Sequence, residues 1–319
     1  MHTTQFDPQL KLLVHSGVLD NWKKAPVSVE VSPTNHCGAE CPWCFYVASA
    51  RKGHHSREEL QLDYLLGLLD DMRMMGSQSV TWTGGGDPCE YSGIDHAIAY
   101  AHRLGLKQGM FTNAYRRIAR PDRLEWIRVT VTEKFVLTKY VAEYARATHV
   151  GVNFNLTNDN QDQCRRMLDE AIGAGVAYFQ FRPALADNVA LQQPVTFPTW
   201  LEEYVNCGVE IESTSYKWKD YLKPHEYPKC HGHRIIPFVW HDGSVSVCAY
   251  HRGQEAFTFG NLHDERFDEI WLGERRCDMV RNGVDVIPEC QHCCRLHEFN
   301  KALAIVAGDV EGPRHREFP

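Results

Sequence analysis

Cys37, Cys41 and Cys44 stand at CxxxCxxC spacing in the run Asn35-His36-Cys37-Gly38-Ala39-Glu40-Cys41-Pro42-Trp43-Cys44-Phe45-Tyr46, with no fourth cysteine beside them. Such a triad can hold an iron–sulfur cubane and leave one iron open to a further ligand, and the open iron is where chemistry happens. The alternative is zinc, which takes a closed tetrahedral set of ligands. His36 would have to complete that set, and an adjacent His-Cys pair is a poor chelate.

Forty residues on, Ser79-Val80-Thr81-Trp82-Thr83 reads as a β-branched strand running into Gly84-Gly85-Gly86-Asp87-Pro88. Glycines there let the backbone approach a ligand and turn N–H groups towards it. The triad, the aromatic Trp43 before its third cysteine, and this glycine run together resemble the radical S-adenosylmethionine (SAM) superfamily. The resemblance implies a [4Fe-4S] cluster on Cys37, Cys41 and Cys44 whose open iron is chelated by SAM, and reductive cleavage of SAM to a 5'-deoxyadenosyl radical. It further implies backbone contacts to adenine around Trp43, Phe45 and Tyr46, and contacts to the methionine amino group from Gly84, Gly85 and Gly86. Asp87 stands in that element where the family has Glu, and no separate role is assigned to it. Thr130, Asn153 and Arg182 are the polar strand residues expected at the ribose and carboxylate, with substrate contact or inter-strand hydrogen bonding as the alternative for each.

The elements that would position these residues follow from pattern. Strand-like runs at Val27–Ser32, Ser79–Thr83, Gly109–Asn113, Ile127–Thr132, His149–Leu156 and Ala177–Arg182 alternate with helix-like runs at Glu58–Met75, Ile94–Leu104, Lys134–Ala147 and Gln161–Gly173, plus a short one at Arg120–Trp126. That alternation argues an α/β fold with a parallel sheet. Strands covered on both faces read as continuous apolar runs. Here Ser28, Glu30 and Ser32, then Asn153 and Asn155, then Gln180 and Arg182, give one polar face per strand. Helices on one side and a wet cavity on the other fit a partial (β/α)6 barrel, the architecture that the resemblance also implies, with active residues at the C-terminal strand ends. Glu30, Trp82, Asn155, Glu210 and Glu212 are candidates for its mouth. The expected domains are an N-terminal helix docking on the core over 1–25, the barrel over 26–216, and a small C-terminal cysteine-rich α+β domain, a β-hairpin plus helix, over 217–319.

That last region holds a second cysteine set. Cys230, Gly243, Cys248 and the Cys290-Gln291-His292-Cys293-Cys294 cluster are spaced CX12GX4C then CxxC, and Asp242-Gly243 is a hairpin signal between two strand-like arms. The spacing resembles the twitch domain, the shortened form of the SPASM extension of radical SAM enzymes, which implies an auxiliary [4Fe-4S] cluster on Cys230, Cys248, Cys290 and Cys293. Cys294, followed by Arg295, is the competing fourth ligand, and a zinc ribbon on the same thiolates is the competing site. His231, His233 and His292 are expected as hydrogen-bonding neighbours.

The chain has 319 residues, a formal net charge of -7 and twelve cysteines. An acidic balance without a Lys/Arg cluster disfavours a nucleic-acid partner. Cysteines in these groupings mean metal binding before disulfides and point to a reduced, cytoplasmic setting. The first residues show no signal pattern, and no apolar stretch is long enough to span a membrane. Cys89, Cys164, Cys207 and Cys277 default to packing, with Cys89, beside the glycine run, as a candidate hydrogen-atom donor.

Four thiolates on an auxiliary cluster leave no open iron and suit it to electron transfer. The function expected is oxidation of a small molecule: the radical abstracts a hydrogen atom, and the auxiliary cluster accepts an electron. A reductant such as flavodoxin or ferredoxin would serve as partner. The alternatives are a redox-neutral isomerase or epimerase using Cys89 or Cys277, and a maturase of a peptide or of a nucleotide or base adduct. The 36 residues before Cys37 leave little room for a separate peptide-recognition domain. A non-enzymatic Fe–S or zinc scaffold or sensor is the remaining alternative, and it gives no account of the glycine run.

Overall fold

The computed structural model describes residues 8–15, 17, 21, 23–44, 56–184, 194–204, 207–212, 218, 222–288, 290 and 294–312. Phe45, Tyr46, His292, Cys293 and the side chain of Glu212 lie outside the described residues. Strands β1 (Ser28–Val31), β2 (Ser79–Trp82), β3 (Lys107–Thr112), β4 (Trp126–Thr130), β5 (His149–Leu156), β6 (Tyr178–Pro183) and β7 (Glu210–Glu212) pair in parallel, each with the next in the chain. A sequential order has no switch point, so right-handed crossovers keep the helices on one side of the sheet. That is barrel winding. β1 pairs on its other side with a C-terminal strand and not with β7, so the barrel stays open.

Strand alternation sorts side chains as the sequence pattern predicts. Val29, Val31, Val80, Met110, Ile127, Val129, Val152 and Phe179 join the core with the apolar faces of α2 (Leu62–Met75), α3 (Ile94–Arg103), α4 (Tyr140–Ala145) and α5 (Gln161–Ala174). Trp82 belongs to this outer layer, not to the barrel mouth: its Nε1 donates to Gln108 Oε1 at 2.9 Å, and Gln108 donates to Ile98 O of α3 at 3.0 Å. On the inner face, Arg128 lies over the rings of Phe111, Trp126 and Tyr178 at 5.2, 5.9 and 5.5 Å and donates to the Tyr178 hydroxyl at 2.9 Å. Gly109 and Gly151 leave room for two of these rings, since a Cβ would meet Trp126 at 2.1 Å and Tyr178 at 1.9 Å. These side chains fill the barrel at that end and leave the C-terminal strand ends for a site.

Two helix-like runs are shorter than their periodicity suggests. The run from Glu58 begins as a helix at Leu62, because Thr34 bridges to Glu59 and Leu60 N donates to Pro33 O, which hold the chain extended. The run from Lys134 becomes helical at Tyr140, because Glu133 and Lys134 are drawn to the triad loop and Phe135 takes φ 48°. At Arg120–Trp126 a single 3-10 turn, Pro121–Arg123, precedes β4.

The C-terminal region forms β8 (Lys229–Cys230), β9 (Phe238–Val239), β10 (Ser244–Ser246), β11 (Thr258–Asn261), α6 (Phe267–Leu272), α7 (Glu274–Asn282), β12 (Val284–Asp285) and α8 (His297–Ala307). The β9–β10 hairpin turns at Asp242-Gly243, where Gly243 takes φ +79°. β9 pairs in parallel with β1, so one ten-stranded sheet runs through the boundary expected near 217. The N-terminal helix α1 (Pro8–Val14) packs on α8, where Leu12 clusters with Ile235 and Leu303. No helix among the described residues is long and apolar enough to cross a membrane.

Candidate active site: two cysteine pockets

The triad loop leaves β1 through Ser32, Thr34 and Asn35, all fully buried. The glycine run lies directly against this segment: Gly85 N donates to Ser32 Oγ at 3.1 Å, Gly86 N to Thr34 O at 3.3 Å and Asp87 N to His36 O at 2.8 Å. A Cβ on Gly86 would stand 2.3 Å from His36 O, and one on Gly84 2.2 Å from Ser32 Oγ. Glycine is therefore required at 86 by contact with the backbone of the triad loop, and at 84 by the Ser32 side chain and a φ of +152°. The N–H groups of Gly85 and Gly86 are committed to it. Asp87 is buried and accepts from Cys89 N, Thr112 Oγ1 and Asn113 N, so it fixes the end of β3. Asn113 in turn directs Nδ2 at the Cys37 sulfur, 3.8 Å away.

Carboxylates surround the triad. Burial, then Asp87, pushes the Cys37 thiol up to about 12. The Cys41 thiol is pushed higher still by burial and by its hydrogen bond to Glu133 Oε2 at 3.0 Å. Burial opposes ionisation of Glu133, yet the hydrogen bonds it accepts from Cys41 and Glu40 N hold its carboxyl below the usual range. Glu90 acts on Cys37 as well, and is itself paired to Arg116 at 2.6 Å. Glu133 and Asn113 escaped the sequence reading because neither lies in a motif; their register past the ends of β4 and β3 brings them here.

Thr130, Asn153 and Gln180 stand side by side in register across β4, β5 and β6. Asn153 is 2% exposed, and its Oδ1 finds no hydrogen-bond partner among the described residues. A buried acceptor of this kind calls for a donor from outside the described residues. One register step on, Arg182 Nε donates to Asn155 Oδ1 at 2.9 Å. Trp43 packs on Phe135 at 5.9 Å, with its buried Nε1 likewise unpartnered. Cys89 takes the packing alternative. Its sulfur lies 3.1 Å from Thr112 Oγ1 and 3.8 Å from Met110 Sδ, in the core on the helix side of β3 and away from the inner face.

Cys230, Cys248, Cys290 and Cys294 line one pocket, with apolar walls from Val247, Phe257, Val284 and Leu296. N–H groups converge on its sulfurs. Cys230 is met by Asn300 Nδ2 at 3.3 Å and by the backbone of Gly232 and His233. The backbone of Tyr250 and His251 serves Cys248, and His251 Nε2 lies 3.3 Å from Cys290. Burial, then Cys230, raises the Cys248 thiol to about 12. Asn300 is held by its own Oδ1, which accepts from His231 N and Gly232 N at 2.8 Å each. Donors aimed at sulfur and apolar walls suit an iron–sulfur cluster. Arg295, the residue after Cys294, forms an ion pair with Glu30 on the inner face of β1 and ties this pocket to the barrel.

A family model for the SPASM iron–sulfur cluster-binding domain matches residues 230–294, from the first cysteine of this pocket to the last. No curated protein matches the chain in sequence. Among solved structures, Streptococcus suis SuiB bound to precursor peptide SuiA is similar at 14% identity and TM-score 0.59, over 88% of this chain and 73% of that one. SuiB bound to S-adenosylmethionine gives 15% identity and TM-score 0.57, over 83% and 70%. Native anSMEcpe with bound AdoMet and Cp18Cys peptide gives 13% identity and TM-score 0.55, over 85% and 87%. At these identities the likeness is one of fold. This chain shares the fold of these structures, carries a CxxxCxxC triad after its first strand, and over residues 230–294 matches the SPASM iron–sulfur cluster-binding domain.

Proposed function

We propose that this chain is a radical SAM enzyme that oxidises its substrate, with Cys37, Cys41 and Cys44 holding the SAM-binding cluster and the C-terminal pocket holding an auxiliary electron acceptor. A cluster held by Cys37, Cys41 and Cys44 with SAM bound would supply hydrogen-atom abstraction from a substrate C–H, and a cluster in the C-terminal pocket would accept the one electron that the substrate then loses together with a proton. Gly84 to Gly86 would lie at the methionine end of SAM, and Asn153 Oδ1 offers a buried acceptor on the inner face that is unmet among the described residues. The observation that carries the electron-acceptor reading is the contrast between the pockets. Asp87, Glu90 and Glu133 act on the triad beside N–H donors from Ala39 and Asn113, whereas Cys230 is met by N–H donors from Asn300, Gly232 and His233 and Cys248 by those of Tyr250 and His251. Negative neighbours disfavour an added electron, and hydrogen bonds to sulfur favour it. That difference suits the auxiliary pocket to accept the electron that the substrate gives up.

The reading is tested by iron and sulfide content after anaerobic reconstitution, followed by product analysis. About eight irons per chain, falling to about four in a Cys37/Cys41/Cys44→Ala variant, are expected for two cubanes. About four irons falling to none would leave the auxiliary pocket without a cluster and bring the redox-neutral isomerase forward. A peptidyl substrate is the second reading, favoured by the peptides bound to SuiB and anSMEcpe; the same turnover assay with peptide and small-molecule panels separates it from the first.

A further inference from the structure

Arg252 belongs to the C-terminal region yet reaches the triad loop. It follows the short turn Ala249–His251, which begins after Cys248 and carries His251 to within 3.3 Å of the Cys290 sulfur. Its Nη1 donates to Asn35 Oδ1 at 2.8 Å, and its Nη2 lies 3.1 Å from His241 Nε2. The guanidinium sits 5.1 Å from the Trp240 ring centroid. Asn35, fully buried two residues before Cys37, also donates to Ser56 Oγ at 2.8 Å. A Cβ on Gly85 would stand 3.0 Å from Arg252 Nη1 and 3.4 Å from Asn35 Oδ1. One guanidinium therefore packs against both the approach to the triad and the middle of the glycine run, from a turn whose other residues face the auxiliary pocket.

We propose that Arg252 is a positioning residue that couples occupancy of the auxiliary pocket to SAM binding. The inference rests on the reading of the triad and glycine run as the SAM site. Ligation of Cys248 and Cys290 fixes the turn 248–252 from one side. The planar fork of Arg252 then holds Asn35 and the backbone around Gly85 from the other. With the auxiliary pocket empty the turn is released, and the glycine carbonyls lose their fixed distance to the triad.

The test uses the full chain reconstituted anaerobically, with SAM affinity measured by equilibrium binding and by the change SAM produces in the EPR signal of the reduced triad cluster. Arg252→Gln is expected to retain wild-type iron content and to weaken SAM binding about tenfold, the scale of one lost charge-assisted hydrogen bond. Cys248→Ala, which empties the auxiliary pocket, is expected to weaken SAM to a similar extent, and the double variant no further. Arg252→Lys keeps the charge but cannot serve Asn35 and His241 together, so it should fall between. Wild-type affinity in Arg252→Gln, or losses that add in the double variant, would overturn the coupling. A wild-type protein that shows no response to SAM would sink the SAM reading itself and the coupling with it.

Discussion

The two cysteine pockets use the same ligand chemistry in opposite surroundings. At the triad, Glu133 takes a hydrogen bond from the Cys41 thiol and Asp87 stands behind Cys37. Ligation removes the thiol proton, leaving Glu133 beside a thiolate and held by Glu40 N. At the auxiliary pocket, the side chain of Asn300 and the backbone of Gly232, His233, Tyr250 and His251 all turn N–H groups to sulfur. The difference originates in local structure. The triad loop is stitched to strand ends, where polar residues gather, whereas Cys230 and Cys248 each precede a 3-10 turn whose first N–H groups lack intrahelical partners. The proposed function draws its order of potentials, the auxiliary site above the triad, from this difference in the backbone around each set of thiolates.

The largest effect that would break this contrast is removal of the acceptor. Cys230→Ala is expected to keep the triad iron and, at saturating SAM, to go on forming 5'-deoxyadenosine, while oxidised product falls to background. Unchanged product yield, measured by mass spectrometry, would show that the auxiliary pocket carries no electrons. Smaller and sharper is Asn300→Asp. The retained Oδ oxygen can still accept from His231 N and Gly232 N, but a carboxylate replaces the donor at the Cys230 sulfur. The auxiliary potential should drop, with the triad potential unmoved, in an EPR-monitored titration. The smallest expected effect is that of Glu133→Gln, which takes one negative charge from beside Cys41. It should raise the triad potential and leave the auxiliary one in place; a fall, or no change, would mean that Glu133 swings away once the triad is ligated.

Much of the barrel was legible because its strands have one polar face. Residues such as Asn153, Asn155 and Arg182 alternate with core residues at period two, and the structure keeps that alternation. Trp82 misled because an aromatic residue at a strand end is equally suited to core and mouth; only its partner Gln108 settles the face. The helix-like run from Lys134 was misread because periodicity does not register competition from elsewhere. Glu133 and Lys134 bond to Glu40 N and Gly38 O, and the chain turns helical only afterwards. The cysteines were legible from spacing, but their electrostatic neighbours were not. Glu133, Asn300 and Arg252 come from distant parts of the chain, and Arg252 and Asn35 are separated by 217 positions. The shared sheet was hidden for the same reason, since nothing in the Phe238–Val239 arm announces that it pairs with β1.

The central claim is the order of the two potentials. An anaerobic redox titration of the reconstituted wild-type chain, with the clusters told apart by the Cys37/Cys41/Cys44→Ala and Cys230→Ala variants, tests it most directly. The account predicts that the auxiliary cluster is reduced first, at the higher potential, and the triad cluster second. Reduction of the triad cluster before the auxiliary one would contradict it, because the N–H donors around the auxiliary sulfurs would then not have raised that potential above the carboxylate-flanked triad.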